Sequence, residues 1–214
     1  MRKIILISFF FYLLFSCKNN IVKINEDYKT VEQILSKCNS NDTIPLLDFS
    51  NKKLKTLPDL SKFKVKKLDI SNNNLDTLIM KNLPRYLVVL DASNNIIKNG
   101  FSFIYTTKKG YSISKNNISK DIREINLSNN KIEGIAFILY DVKLKRIDLS
   151  YNNLKRIEMN KQKINYLNIS NNKNFSNIIN FDPKSIDTII RTKISNDLPL
   201  KLNKLEIQNL PDKN

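Results

Sequence analysis

With 214 residues, 41% hydrophobic and 26% charged, the chain suits one globular domain and is too apolar to be disordered. Three glycines leave no room for Gly-rich phosphate loops, and the absence of histidine removes the commonest general base and imidazole zinc sites. Two cysteines are too few for a disulfide framework, and a net charge of +16 admits either a polyanionic partner or a solvated lysine coat in a chain biased toward Lys, Asn and Ile.

The first element is an address. Met1-Arg2-Lys3 is positive, Ile4 to Phe15 is an apolar run broken only by Ser8, and small Ser16 precedes Cys17. This is the layout of a signal peptide over 1–16, too short to span a bilayer comfortably. Leu14-Phe15-Ser16-Cys17 resembles a bacterial lipobox, although Phe15 is bulkier than that pattern favours. The resemblance implies lipidation of Cys17 and a mature chain held on a membrane of the bacterial envelope, either the outer membrane or the cell surface. A plain signal peptide with an incidental cysteine is the alternative.

Residues 17–43 read as a lipidated tether followed by a capping helix. Thr30 to Cys38 has Thr30 as N-cap and Gln33 three residues on. Val31, Ile34, Leu35 and Cys38 would share one face and cover the apolar end of a repeat array. Cys38 is expected as a small buried apolar residue, since no histidine exists to activate it.

From 44 to 214 the chain repeats itself. Asp69-Ile70-Ser71-Asn72-Asn73, Asp91-Ala92-Ser93-Asn94-Asn95, Asn126-Leu127-Ser128-Asn129-Asn130 and Asp148-Leu149-Ser150-Tyr151-Asn152 are four of six near-identical phrases. The full unit is apolar-x-x-apolar-x-apolar-x-x-Asn-x-apolar, complete in Ile122 to Ile132 and Leu144 to Leu154. Its second apolar position falls at Leu47, Leu68, Leu90, Ile125, Ile147, Leu167, Ile189 and Leu205, in steps of 21, 22, 35, 22, 20, 22 and 16. The 35-residue step is read as an irregular insertion over 98–121, with Phe101, Phe103, Tyr105 and Tyr111 and turn signals at Gly100 and Gly110. Those aromatics either bind a partner or seal the gap.

This pattern resembles the leucine-rich repeat family over roughly 44–207. The resemblance implies an α/β-type solenoid, mostly β: a horseshoe with a parallel concave sheet. Coils of 20–22 residues leave room only for short extended or 3-10 segments on the convex side. Leu57-Pro58 and Leu83-Pro84 agree, because the residue before proline avoids helix.

In each unit apolar-x-apolar is a short strand whose flanking side chains point inward. The Asn column, Asn73, Asn95, Asn130, Asn152 and Asn172, is expected to be structural, satisfying backbone groups where the chain leaves the sheet. The first unit has Lys52 there. The outward positions before the second apolar column include Lys67, Glu124, Arg146, Tyr166 and Thr188. Those after it include Asp48, Asp69, Asp91, Asn126, Asp148, Asn168 and Ile190, followed by a serine row from Ser50 to Ser170. Candidate protein-binding residues are Lys67, Asp69, Asp91, Glu124, Arg146, Asp148 and Tyr166, of which Tyr and Arg are typical anchors. The Asp row is either a surface for a cationic or amide-rich segment or simply common wording of the family.

No nucleophile with a base and no metal cluster is legible, so neither an enzyme nor a cofactor or metal is expected. The Asp row lacks a calcium-binding loop. The export signal and the lack of interleaved aromatics argue against nucleic acid. What remains is a monomeric protein-binding module: an adhesin or host-contact protein, an envelope scaffold, or a secreted effector without an anchor.

Overall fold

A computed structural model describes residues 31–98, 101–105, 118–139, 142–160, 162–180, 182–192 and 205–208. Cys17, the signal sequence, Thr30 and Tyr111 lie outside the described residues. The strands are β1 (Thr43–Asp48), β2 (Lys64–Asp69), β3 (Val89–Asp91), β4 (Phe101–Tyr105), β5 (Glu124–Asn126) and β6 (Gly134–Leu139). They continue with β7 (Leu144–Asp148), β8 (Arg156–Glu158), β9 (Ile164–Asn168), β10 (Asn177–Ile179), β11 (Ile186–Thr192) and β12 (Leu205–Gln208).

They form a solenoid with two parallel sheets. The concave sheet runs β1-β2-β3-β5-β7-β9-β11-β12. Its register aligns the second apolar column from end to end: Leu47, Leu68, Leu90, Ile125, Ile147, Leu167, Ile189 and Leu205 are successive partners. The 35-residue step does not disturb it, because Leu90 pairs with Ile125 directly.

The interior is a ladder of aliphatic rungs. Ile44, Val65, Leu87, Ile122, Leu144, Ile164 and Ile186 form one column, and Phe49, Ile70, Ala92, Leu127, Leu149 and Ile169 another, all at most 2% exposed. Each such Leu or Ile contributes roughly 1.5–3 kcal/mol against exposure. No coil could bury its own apolar face alone. Phe175, one place late in its unit, is still buried.

At the N-terminal end the helix is shorter than the sequence suggests. α1 spans Val31–Ser36, with Val31 and Ile34 buried and Leu35 and Cys38 packed partly against the core. Pro45 lies in β1, an edge strand, where a missing backbone donor is tolerated.

The convex side departs from expectation in one respect. The first two convex returns are irregular, with a 3-10 turn at Met80–Asn82. The later ones are extended, as expected, but they also pair into a second parallel sheet of order β10-β8-β6-β4. The aromatic segment Phe101–Tyr105 is thus a strand of that sheet rather than a loop, and Gly134–Leu139 is its longest member. No described helix is long and apolar enough to cross a membrane.

Candidate functional site

The concave sheet ends at a sharp corner, and the repeated Asn sits there. Asn130 donates through Nδ2 to the carbonyls of Ala92, Leu127 and Ser128 at 3.0, 3.1 and 3.2 Å, while its Oδ1 accepts from the Ile97 amide at 3.0 Å. Asn152 and Asn172 repeat the arrangement one and two coils on, accepting from Ile132 and Leu154. Asn95 does the same with Leu75. Asn73 accepts from both Lys52 and Leu54, so the first coil draws on its neighbour's asparagine where it has Lys52 itself. All five are buried.

The residue ahead of the Asn column takes a left-handed backbone in the six units that carry the phrase, with φ between 53 and 58° at Asn51, Asn72, Asn94, Asn129, Tyr151 and Asn171. Asn reaches this region at less cost than other side chains do, and Tyr151 is the one departure in the series. Hence the Asn-Asn dipeptides.

The acid-and-amide row has a structural occupation as well. Asp69 Oδ1 accepts from the Ser71 amide at 3.0 Å and hydroxyl at 2.7 Å. Asp91 and Asp148 hold Ser93 and Ser150 the same way, and so do Asn126 and Asn168 with Ser128 and Ser170. Asp and Asn alternate there because the turn needs only an acceptor oxygen. The row is half-buried on the concave face, and its Ile190 is buried, 7% exposed. The serines are not an outward row: Ser71, Ser93, Ser150 and Ser170 are buried and spend their hydroxyls on this turn.

The variable side chains lie one residue earlier on the strands. Lys67, Val89, Glu124, Arg146, Tyr166 and Thr188 are successive register partners. Lys67, Val89, Asp91, Glu124, Asn126 and Arg146 line a shallow hollow of about 220 Å³. Arg146 bounds it: its guanidinium is 3.1 Å from Asp148 Oδ2 and lies 4.2 Å from the centre of the Tyr166 ring. A planar cation stacked on an aromatic and tethered to a carboxylate is held still before any partner arrives. The Asp148 carboxylate also accepts from Asn168 Nδ2 at 3.2 Å, and Asp91 from Asn126. Asp69 stands beside Asp91 in register, one strand from the hollow's centre. All seven candidate residues therefore fall on one continuous surface of β2 to β9.

Two features escaped the reading of the sequence. Tyr151 occupies the left-handed position that is Asn elsewhere, and it is 57% exposed, more than any other large apolar side chain described. The signal was present as Ser-Tyr-Asn among repeated Ser-Asn-Asn phrases. The second is the placement of lysine, which is not an even coat: bases gather where the chain runs into β2, β3, β5, β7 and β9, and do not gather before β1 or β11. Among the described residues no group of three or more His, Cys, Asp or Glu is placed to hold a metal.

Residues 64–85, from the start of β2 to the turn before β3, match the family model described as Leucine Rich Repeat. A search of curated proteins found no match.

Proposed function

We propose that this leucine-rich repeat protein is a non-enzymatic platform that grips another protein on its concave face, and that acylation of Cys17 holds it at the surface of a bacterial cell for adhesion or host contact. The solenoid supports a protein-interaction module, since such folds present side chains rather than assemble reaction machinery. One observation carries the choice of face. The positions that vary from coil to coil stand in register, Lys67, Glu124 and Arg146 around one hollow and Tyr166 beside it under Arg146, while the constant positions next to them are spent on turns. Constant residues build the scaffold; variable ones select what it holds. Arg146 and Tyr166 are the anchors, and Lys67, Asp69, Asp91, Glu124 and Asp148 set the polarity around them. The anchor at Cys17 is supported by the signal-like leader and its lipobox-like end.

The test separates the two parts. Intact cells are shaved with protease, and chain from fresh cells is cross-linked to its contacts. Arg146→Ala with Tyr166→Ala should cut cross-linked partner at least about tenfold, the scale of an interface anchor, while the melting temperature holds. Cys17→Ser should move the chain from the membrane to the soluble fraction. Undiminished capture by the double variant would sink the concave site, and unchanged fractionation of Cys17→Ser would sink the anchor.

A further inference from the structure

The backbone ladder at the start of the concave strands places bases on one edge. The Val88 amide donates to the Lys66 carbonyl at 2.8 Å, Arg123 to Val88 at 2.8 Å, and Lys145 to Arg123 at 2.7 Å. These residues are therefore stacked neighbours on successive strands. Lys64, Lys143 and Lys163, each just outside or at a strand start, extend the row. Lys66, Lys143, Lys145 and Lys163 are exposed. Across the described residues of these approaches to β2, β3, β5, β7 and β9, Asp121 is the one acid. Beyond β9 the stripe stops, where Asp182 and Asp187 take over. The next rows toward the strand ends are mixed and then acidic, through Asp48, Asp69, Asp91 and Asp148. The chain's positive charge is thus polarised across the width of the sheet.

We infer that this leading edge rests on an anionic lipid bilayer and lays the solenoid on its side, with the concave face free. Five strands spaced by 4.7–4.9 Å give a straight stripe of roughly 20 Å, which suits a flat charged surface. Tyr86, 45% exposed in the same row with Lys66 Nζ 5.8 Å from its ring, is a side chain suited to the headgroup layer. A single aromatic does not make the stacking series that a single-stranded nucleic acid needs. The chain between Cys17 and α1 is thirteen residues, at most about 45 Å when extended, so the edge can reach the surface to which Cys17 would be fixed. The inference rests on the proposed membrane anchor only in naming a bilayer as the surface. Near an anionic surface each lysine is worth about a fivefold change in binding.

The full chain is presented to vesicles of 30% phosphatidylglycerol in phosphatidylcholine and to pure phosphatidylcholine vesicles. The leader and Cys17 are present in every variant, so the ratio of the two affinities reads the charged surface alone. Replacing Lys66, Lys143, Lys145 and Lys163 by Ser should lower that ratio by at least about 50-fold. Replacing the exposed Lys55, Lys98, Lys131 and Lys173, equal in charge but off this edge, should lower it less than about fivefold. Equal losses in the two variants would mean net charge alone is sensed, and would overturn the proposal. So would an unchanged ratio in the first variant, or wild-type affinity higher for heparin or a DNA duplex than for the anionic vesicles at the same salt. The anchor is read separately, in cells: wild-type chain found soluble while keeping its phosphatidylglycerol preference would refute the anchor and leave the edge standing.

Discussion

From β1 to β3 the chain returns along the convex side through bends and a 3-10 turn; from β4 onward it returns through strands that pair with one another. The concave phrases of the two regions are nearly the same, so the difference comes from the return segments. The early ones contain Pro58 and Pro84, which have no amide to donate to a ladder. There the coils are joined by side chain and turn instead: Asn82 Nδ2 donates to the Leu57 carbonyl at 3.1 Å, and the Leu60 amide to the Asn82 carbonyl at 2.8 Å. The later returns carry Gly134-Ile135-Ala136-Phe137-Ile138-Leu139 and Asn177-Ile178-Ile179, β-prone segments without proline, and their Pro183 falls after the strand, in a 3-10 turn at Pro183–Ser185. A coil of 20–22 residues accepts either solution, because the concave ladder and the Asn corner already set its pitch.

The sharpest way to break this comparison is to give the later region the earlier region's residue. Ala136 pairs with Ser102 on one side and Glu158 on the other, in the middle of the convex sheet. Ala136→Pro removes a ladder donor and leaves a neighbour's acceptor unpaired, costing at least about 3 kcal/mol. For a chain of this size that is a fall of about 6–12 °C in melting temperature. Amide exchange should show protection lost first around β4, β6 and β8, with β1 to β3 still protected. The reverse change, Pro58→Ala, should shift stability by under about 1 kcal/mol, since no ladder bond depends on that residue. A loss spread evenly over all coils after Ala136→Pro would show that the two regions do not differ in the way described.

Next in size are changes at the corner that both regions share. Asn130→Ala strands the Ile97 amide and three carbonyls, and Asn73→Ala strands the amides of Lys52 and Leu54. Each should cost about 2–4 kcal/mol, and similar amounts in the two regions. Within the turn row, Asp69→Asn should change stability by no more than about 0.5 kcal/mol, because Asn126 and Asn168 already perform that task. Asp69→Ala, which leaves the Ser71 amide and hydroxyl without their acceptor, should cost about 1 kcal/mol. Thermal unfolding of the four variants checks the series; a large loss for Asp69→Asn would mean the charge itself matters there.

The fold was largely legible because its determinants are periodic. The Leu and Ile column predicted by spacing is the register of the concave sheet, including the jump from Leu90 to Ile125. The convex sheet was not legible, since its strands share no phrase: Phe101–Tyr105, Gly134–Leu139, Arg156–Glu158 and Asn177–Ile179 have only β-propensity in common, and pairing partners are set in three dimensions. At the candidate site, Lys67, Glu124, Arg146 and Tyr166 could be found by asking which strand positions vary. The Arg146–Tyr166 stack could not, because it depends on two coils being neighbours. The serine row misled for a related reason: alternation counted from the strand was carried past its end, where the chain turns inward. The lysine edge was hidden because bases on different coils are far apart in sequence and adjacent only in the stack.

The smallest test contrasts one carboxylate from each region. Asp59, on an early convex return, is held below the usual aspartate value first by hydrogen bonds from Ser61 in its own turn, with Lys81 and Lys62 adding less. Glu133, at the corner leading to β6, is lowered by Lys155 on the next coil, whose Nζ is 2.8 Å from Oε2. Both groups are exposed, so neither supports a measurable share of stability. The sign is the same for both: a depressed folded-state value gives stabilisation that is complete above the unfolded-state pKa and lost as pH falls through the folded one. Lys155→Ala should therefore return the Glu133 carboxylate toward the ordinary glutamate value in an NMR titration, and Lys81→Ala should leave Asp59 almost where it was. A large rise at Asp59 would mean that cross-coil charge governs the early returns as well, and that the two regions differ in backbone pairing alone.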